Sequence, residues 1–350
     1  MKQFLLFVCM LTLVSCSNQG EKRLTKDSIS GAGATFPLPF YDVTFKAFTD
    51  STGIQVTYGG IGSGGGIRSL RDQIVDFGAT DAFMSDKDMA KMPREVVHIP
   101  TCLGAIVMGY NLPGIQDLRL TGQIVADIYL GKITKWNDDL IQQENPGIKL
   151  PELNIYPVYR SDGSGTTYVF TDYLSKVSPE FNQKVGCGKS LKWPAGIAAK
   201  GNPAIAGLIS QTKGTIGYIG SEYAFAVKIP YASLKNKSGL YIKPDNESIS
   251  AAAAGDIPVD TRTMITDSAN PQAYPIACFT WLLIYKEQSY NNRSESKARA
   301  TVDLMYWMIS PESQRLTTEV NYSPLPEETL IRARQVLSSV TYNGRSLLKQ

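Results

Sequence analysis

Two long apolar runs constrain this chain more than any other feature. Val96 to Pro100, continued by Leu103-Gly104-Ala105-Ile106-Val107-Met108-Gly109-Tyr110, reads as one long buried strand, and Tyr274 to Tyr285 reads as a second. About 170 residues separate them, enough for a folding unit of its own, so the pattern predicts a central domain inserted into a discontinuous outer one. The two crossovers would then act as hinges. Around these runs, strand-like and helix-like segments alternate, which predicts an α/β architecture of mixed sheets flanked by helices. Val75 to Asp81, Asn154 to Tyr159 and Gly214 to Ile219 read as strands. Gln123 to Leu130, Ser294 to Ile309 and Pro326 to Val340 read as helices, with Pro311 and Pro324 as boundaries. Lys235 to Ala251 is polar and reads as exposed hairpins or loops.

Three glycine and hydroxyl segments carry the chemistry. The first is Gly31-Ala32-Gly33-Ala34-Thr35-Phe36-Pro37, a flexible turn ahead of a helical pattern that includes Phe40, Tyr41, Phe45 and Phe48. A second runs from Gly59 to Gly66 around Ser63, after a strand-like Ile54 to Tyr58 and before Ile67, Leu70 and Ile74 at helical spacing. The third is Asp162-Gly163-Ser164-Gly165-Thr166-Thr167, which follows Arg160 and precedes the apolar Tyr168, Val169 and Phe170. Each should open a helix, where unpaired N–H groups and the macrodipole favour an anion. Arg160 adds a permanent planar cation, and Asp162 is placed to orient it. Together the segments predict convergent donors around one small oxyanion.

Other chemistries lose their anchors. Gly60, Gly62 and Gly65 also satisfy the dinucleotide pattern, with Asp81 as a candidate ribose contact, but the N-terminus argues for export to where soluble dinucleotides are scarce. Neither Ser63 nor Ser164 lies in a nucleophile elbow, and no glycine turn carries the Lys of a nucleotide P-loop. His98, the single histidine, reads as a structural residue at a strand edge. The cysteines show no CxxC or Cys/His cluster, so no metal or other cofactor is expected. Cys102 and Cys278 should lie near each other, since each begins one of the hinge strands. Trp136, Trp193, Trp281 and Trp307 read as packing residues, and Lys132, Lys135 and Trp136 as a small exposed basic patch. With 35 basic against 32 acidic side chains and signs interspersed, nothing points to a nucleic acid.

Residues 1–15 have the pattern of an export signal: Lys2, an apolar run from Phe4 to Val14 too short to span a bilayer, then Leu13-Val14-Ser15-Cys16. That tetrapeptide resembles a bacterial lipobox, which predicts cleavage before Cys16, acylation of that residue, and a flexible tether over 16–27. The chain is thus expected in the cell envelope, lipid-anchored and monomeric.

The motifs also resemble, in order, those of the phosphate-binding proteins of bacterial high-affinity phosphate ABC transporters. The matching segments are Gly31 to Pro37, Gly60 to Ser63, Val75 to Ala79 with Asp81, Asp127 to Ile133 with Lys135-Trp136, Arg160 with Asp162 to Thr166, Lys192-Trp193-Pro194 and Gly214 to Tyr218. The resemblance implies a two-lobed periplasmic-binding-protein fold of type II, with lobe I over 28–104 and 277–350 and lobe II over 105–276. It implies a phosphate site made by Thr35, the Phe36 backbone, Ser63, Asp81, Arg160, Ser164, Gly165 and Thr166, with Asp162 orienting Arg160. Asp81 would accept the proton of hydrogen phosphate, and a membrane permease would be the partner. Thr80 and Ser161 fall where related chains vary, and Lys235 to Ala251 is shorter than the corresponding insertion; neither touches an implied ligand. Competing readings are a binder of sulfate or another oxyanion, a phosphoester hydrolase using Ser63 or Ser164, and a surface adhesion lipoprotein that has lost its ligand.

Overall fold

The computed structural model describes residues 28–347. The export signal, the tether and Cys16 lie outside the described residues. The chain opens with β1 (Ile29–Gly33), α1 (Leu38–Thr52), β2 (Val56–Gly60), α2 (Ser63–Arg71), β3 (Phe77–Thr80), α3 (Asp86–Met89) and β4 (Val96–Tyr110). The central segment supplies β5 (Arg119–Leu120), α4 (Gly122–Tyr129), α5 (Asp139–Glu144), β6 (Tyr156–Arg160), α6 (Gly165–Val177), α7 (Pro179–Lys184), β7 (Ile197–Ala199) and α8 (Gly201–Gln211). It continues with β8 (Thr215–Gly220), α9 (Ser221–Ala226), β9 (Ser233–Lys235), β10 (Tyr241–Ile242) and α10 (Asn246–Ala252). The last part holds β11 (Ala277–Tyr285), α11 (Glu295–Met308), α12 (Pro311–Glu319) and α13 (Glu327–Ser338), then a two-stranded hairpin.

Eight strands form one mixed sheet in the order β2-β1-β3-β11-β4-β8-β6-β7. β4 joins its two halves. Residues Val96 to Ala105 pair antiparallel with β11, and Ile106 to Tyr110 pair antiparallel with β8. Ile106 N–H donates to Ile276 O at 2.9 Å, so the outgoing and returning crossovers lie side by side. β4 and β11 are buried along nearly their whole length, which is why both read as continuous apolar runs rather than as alternation. Cys102 sits opposite Thr280 and Cys278 opposite Gly104, which places the two cysteines diagonally on one face; both are buried free thiols.

Local chemistry sets the helix ends. Ser164 caps α6 by accepting Thr167 N–H at 3.0 Å, and Gly53 closes α1 in the left-handed conformation. Several expectations need correction. Gly31 to Gly33 form strand β1 rather than a turn, because β1 runs between β2 and β3 and its backbone is claimed by both. Ile74 lies beyond α2, which begins at Ser63, earlier than the apolar spacing suggests. Asn246–Ala252 is a helix, started by the reciprocal capping of Asp245 and Ser248 inside a polar stretch. Pro311 begins α12 instead of only ending α11, with Ser310 as its cap. Lys132 is paired with Asp127 and Glu180 and Lys135 with Glu152, while Trp136 is buried, so no free basic patch exists there. The tryptophans pack: Trp136 donates to Gly214 O, Trp281 to Thr261 O, Trp307 to Thr44 O, and Trp193 lies among Tyr129, Tyr159, Phe170 and Tyr218. Among the described residues no helix is long and apolar enough to cross a membrane.

His98 lies in the part of β4 that pairs with β11 alone, so it stands at a local sheet edge as the sequence suggests, with its carbonyl accepting from Thr261 Oγ1. Its buried Nε2 accepts Met84 N–H at 3.0 Å. Burial, reinforced by the positive charge of Arg262, pushes its pKa down to about 3. The unfolded chain takes up the proton near pH 6.5 while the fold resists it until about pH 3, so stability falls as the pH drops through that window. His98→Gln, which keeps an acceptor for Met84, should flatten the decline; equal acid sensitivity of the two proteins in thermal unfolding from pH 7 to pH 4 would contradict it.

Candidate functional site

Three mutually parallel strands of one half and β6 of the other, which runs the opposite way, end at one place. β1 leads to Thr35, β2 to Ser63, β3 to Asp81 and β6 to Arg160, so the polar groups collect in the crevice beyond the carboxyl ends of the sheet, where open α/β sheets place their ligands. Thr35, Phe36, Ser63, Asp81, Arg160, Ser164, Gly165 and Thr166 are all buried, none more than 5% exposed where a value is resolved.

The segments from the two halves of the chain touch directly. Gly64 N–H donates to Gly163 O at 2.8 Å, and Ser63 Oγ accepts N–H from Gly165 at 3.1 Å and from Asp81 at 3.4 Å. Two glycines make this approach possible. Gly62 has φ of 83°, and a side chain there would meet the Asp162 carboxylate at 2.2 Å; a Cβ on Gly165 would lie 2.4 Å from Ser63 Oγ and 2.8 Å from Asp81 Oδ2. Tyrosines from both halves hold the peptide groups of the first turn in place: Tyr58 donates to Ala34 O, Tyr223 to Thr35 O and Tyr322 to Phe36 O.

Arg160 and Asp162 form a two-bond fork, Nε to Oδ1 at 2.7 Å and Nη2 to Oδ2 at 2.5 Å. Its geometry fixes the guanidinium plane and leaves Nη1 directed to Thr166 Oγ1 at 3.5 Å. Burial raises the Asp162 pKa, but the hydrogen bonds and charge of Arg160, with Gly201 N–H, outweigh it and hold the carboxyl below its usual value. Asp81 has no such partner. Its Oδ1 accepts from Thr280 at 3.1 Å and its Oδ2 from Thr166 at 3.3 Å. Burial pushes its pKa up to about 7 against the pull of Arg160 and those two hydroxyls. A buried carboxylate with a raised pKa therefore shares the crevice with a fixed cation and several donors, an arrangement suited to holding an oxyanion that carries a proton.

Sequence reasoning missed four contributors. Asn202, in the first turn of α8, bonds both Thr35 and Thr166. Gly201 N–H in that same turn donates to Asp162. Thr280 sits in β11 with no motif around it. Lys189 accepts Ser164 N–H on its carbonyl, and its ammonium lies 5.3 Å from the centre of the Tyr168 ring. The run Lys200-Gly201-Asn202-Pro203 did carry a signal, a glycine and a polar residue opening a helix. No group of three His, Cys, Asp or Glu side chains among the described residues could hold a metal ion.

Residues 18–312 match the family model described as a PBP superfamily domain. A phosphate-binding protein PstS of Xylella fastidiosa is 39% identical over 303 residues, 85% of this chain and 81% of its own. The chain belongs to the PstS phosphate-binding protein family. A second PstS relative, from Pasteurella multocida, is 38% identical over 91% of this chain and 93% of its own. Its architecture is also that of the solved phosphate-binding protein from Stenotrophomonas maltophilia, with a TM-score of 0.66 over 88% of this chain and 93% of that one at 18% identity.

The buried carboxylate gives this PstS-family chain a measurable liability. Between the ordinary carboxyl pKa and about 7 the fold keeps an Asp81 proton that the unfolded chain has released, so stability falls as the pH rises through that window and levels off above it. In thermal unfolding of the ligand-free protein, Asp81→Asn should melt above the wild type at pH 8.5, with the gap narrowing steadily toward pH 4. A gap that does not depend on pH would refute the assignment.

Proposed function

We propose that this chain binds inorganic phosphate outside the cytoplasm and hands it to an ABC-type membrane permease, without catalysing a reaction. The observation that carries this reading is Asp81, a buried carboxylate sharing one crevice with the fork-held Arg160 and the donors of three turns. Thr35, the Phe36 backbone, Ser63, Ser164, Gly165 and Thr166 would supply neutral donors to the anion, Arg160 its one direct charge pair, and Asp162 the orientation of Arg160. Charge-assisted bonds of about 1.5–3 kcal/mol each suffice for micromolar or tighter binding after the cost of closure.

Closure would follow from the shared strand. In our reading, lobe I (28–104 and 277–350) and lobe II (105–276) swing about the adjacent crossovers at Gly104–Ala105 and Ile276–Ala277, and the anion bridges them because only the closed form satisfies its oxygens. Hydrolysis is disfavoured by the surroundings of the hydroxyls. Ser63 Oγ is engaged by two N–H groups, Ser164 Oγ by Thr167 N–H, and His98 by Met84.

Specificity would rest on one proton placed between Asp81 and an anion oxygen. Above about pH 7 Asp81 is ionised, so the ligand must bring that proton; hydrogen phosphate has one and sulfate does not. Below that pH the carboxyl carries its own proton and the exclusion of sulfate weakens. Calorimetric titration at pH 8 should show Asp81→Asn reducing the phosphate-to-sulfate affinity ratio at least about tenfold, and Arg160→Ala weakening both anions about 30-fold or more. An unchanged ratio in Asp81→Asn would end the proton-acceptor reading, and absence of phosphate binding by the wild type would end the functional one.

The leader pattern supports anchoring of the exported chain through acylated Cys16. Cys16→Ser should move the protein from the membrane to the soluble fraction of cells, and equal retention of the two would remove the anchor from this account.

A further inference from the structure

Asn202 is fully buried and makes four hydrogen bonds at the centre of the crevice. Its orientation is fixed by chemistry, since Gly220 N–H can only donate, so the amide atom it meets at 3.2 Å is the oxygen. The other end is therefore the NH2 group, with two hydrogens and no acceptor capacity. One goes to Thr35 Oγ1 at 3.1 Å and the other to Thr166 Oγ1 at 3.2 Å.

A hydroxyl has two lone pairs and one proton. Thr35 Oγ1 receives the Asn202 backbone N–H at 3.1 Å as well as the side-chain NH2, which fills both lone pairs. Thr166 Oγ1 receives the NH2 and Arg160 Nη1, and gives its own proton to Asp81 Oδ2. Neither hydroxyl can accept a further hydrogen: Thr35 has its proton to offer, and Thr166 gives its proton to Asp81 Oδ2 or, in its place, to an incoming anion oxygen. An unconstrained threonine could turn and accept instead; these two are held from doing so.

We propose that Asn202 is the positioning residue that commits Thr35 and Thr166 to donation, so that any anion oxygen reaching them must be a bare acceptor. Together with Asp81, this sorts protons around the ligand: a hydrogen-bearing oxygen fits only beside the carboxylate. The hydrogen phosphate dianion meets that requirement with its single proton, whereas the second proton of dihydrogen phosphate finds no acceptor at Thr35 or Thr166. The inference rests on the phosphate-binding reading and extends it to the protonation state bound.

A double-mutant cycle tests it, using calorimetric titration of the full chain with inorganic phosphate at pH 8. Asn202→Ala should weaken binding about 10- to 100-fold in the wild-type background, where it frees two donors to turn, and less than about 3-fold when Thr35→Val and Thr166→Val are already present. Equal losses in both backgrounds would overturn the proposal, because Asn202 would then act through packing or closure and not through the hydroxyls. If Asn202→Ala does not fold, the nearly isosteric and uncharged Asn202→Leu carries the same cycle; it offers no donor to either hydroxyl, and its loss should also vanish in the valine background. A wild type that binds no phosphate would sink the functional reading itself, and is read before any variant.

Discussion

The hydrogen bonds of β4 run to two different partners, and the rest of the molecule is arranged around that division. Nine residues of the strand pair with β11 and five with β8. Because the return from the central segment enters β11 directly beside the point where β4 changes partner, the connections between the halves lie within one strand spacing of each other. Elements far apart in sequence therefore meet on opposite walls of one crevice: Ser63 and Asp81 on one side, Gly165, Thr166 and Asn202 on the other. A chain with widely separated crossovers would hold these walls rigidly; here they share a narrow connection.

The charge inside the crevice is counterintuitive for an anion site. Arg160 is neutralised by Asp162, which leaves Asp81 as the charge without an ionic partner. Beyond the Arg160 guanidinium, attraction comes from oriented dipoles: the first turns of α2 and α6 and the hydroxyls aimed between them. Neutral donors discriminate by direction, which is why the placement of hydrogens on Thr35 and Thr166 carries so much of the chemistry. The first turn of α8 contributes indirectly, Gly201 steadying Asp162 and Asn202 steadying the threonines.

Much of this was legible in the sequence. The continuous apolar runs in β4 and β11 marked strands buried on both faces, and the glycine and hydroxyl segments marked helix openings, because both signals are local. What stayed hidden depends on distance through space. Thr280 looks like any strand residue until β11 is laid beside β3, and Asn202 acquires its contacts only when α8 reaches Thr35, 167 positions away. Likewise, Lys132 and Lys135 read as a basic patch until folding brings Glu180 and Glu152 to them. The three glycine segments were grouped correctly in space, yet Gly31 to Gly33 belong to a strand, since small residues also allow close packing of a central strand between its neighbours.

The near-complete burial of the crevice has a kinetic corollary. Ser63 and Thr166 have no exposed surface and Arg160 almost none while Gly64 is bonded to Gly163 and Ser63 to Gly165. A bound ion cannot diffuse out through such a wall, so its residence time would be governed by how often the walls part, whatever the strength of its own contacts. Affinity and exchange rate could then be tuned at separate addresses: one by the donors around the anion, the other by the few bonds that span the rim.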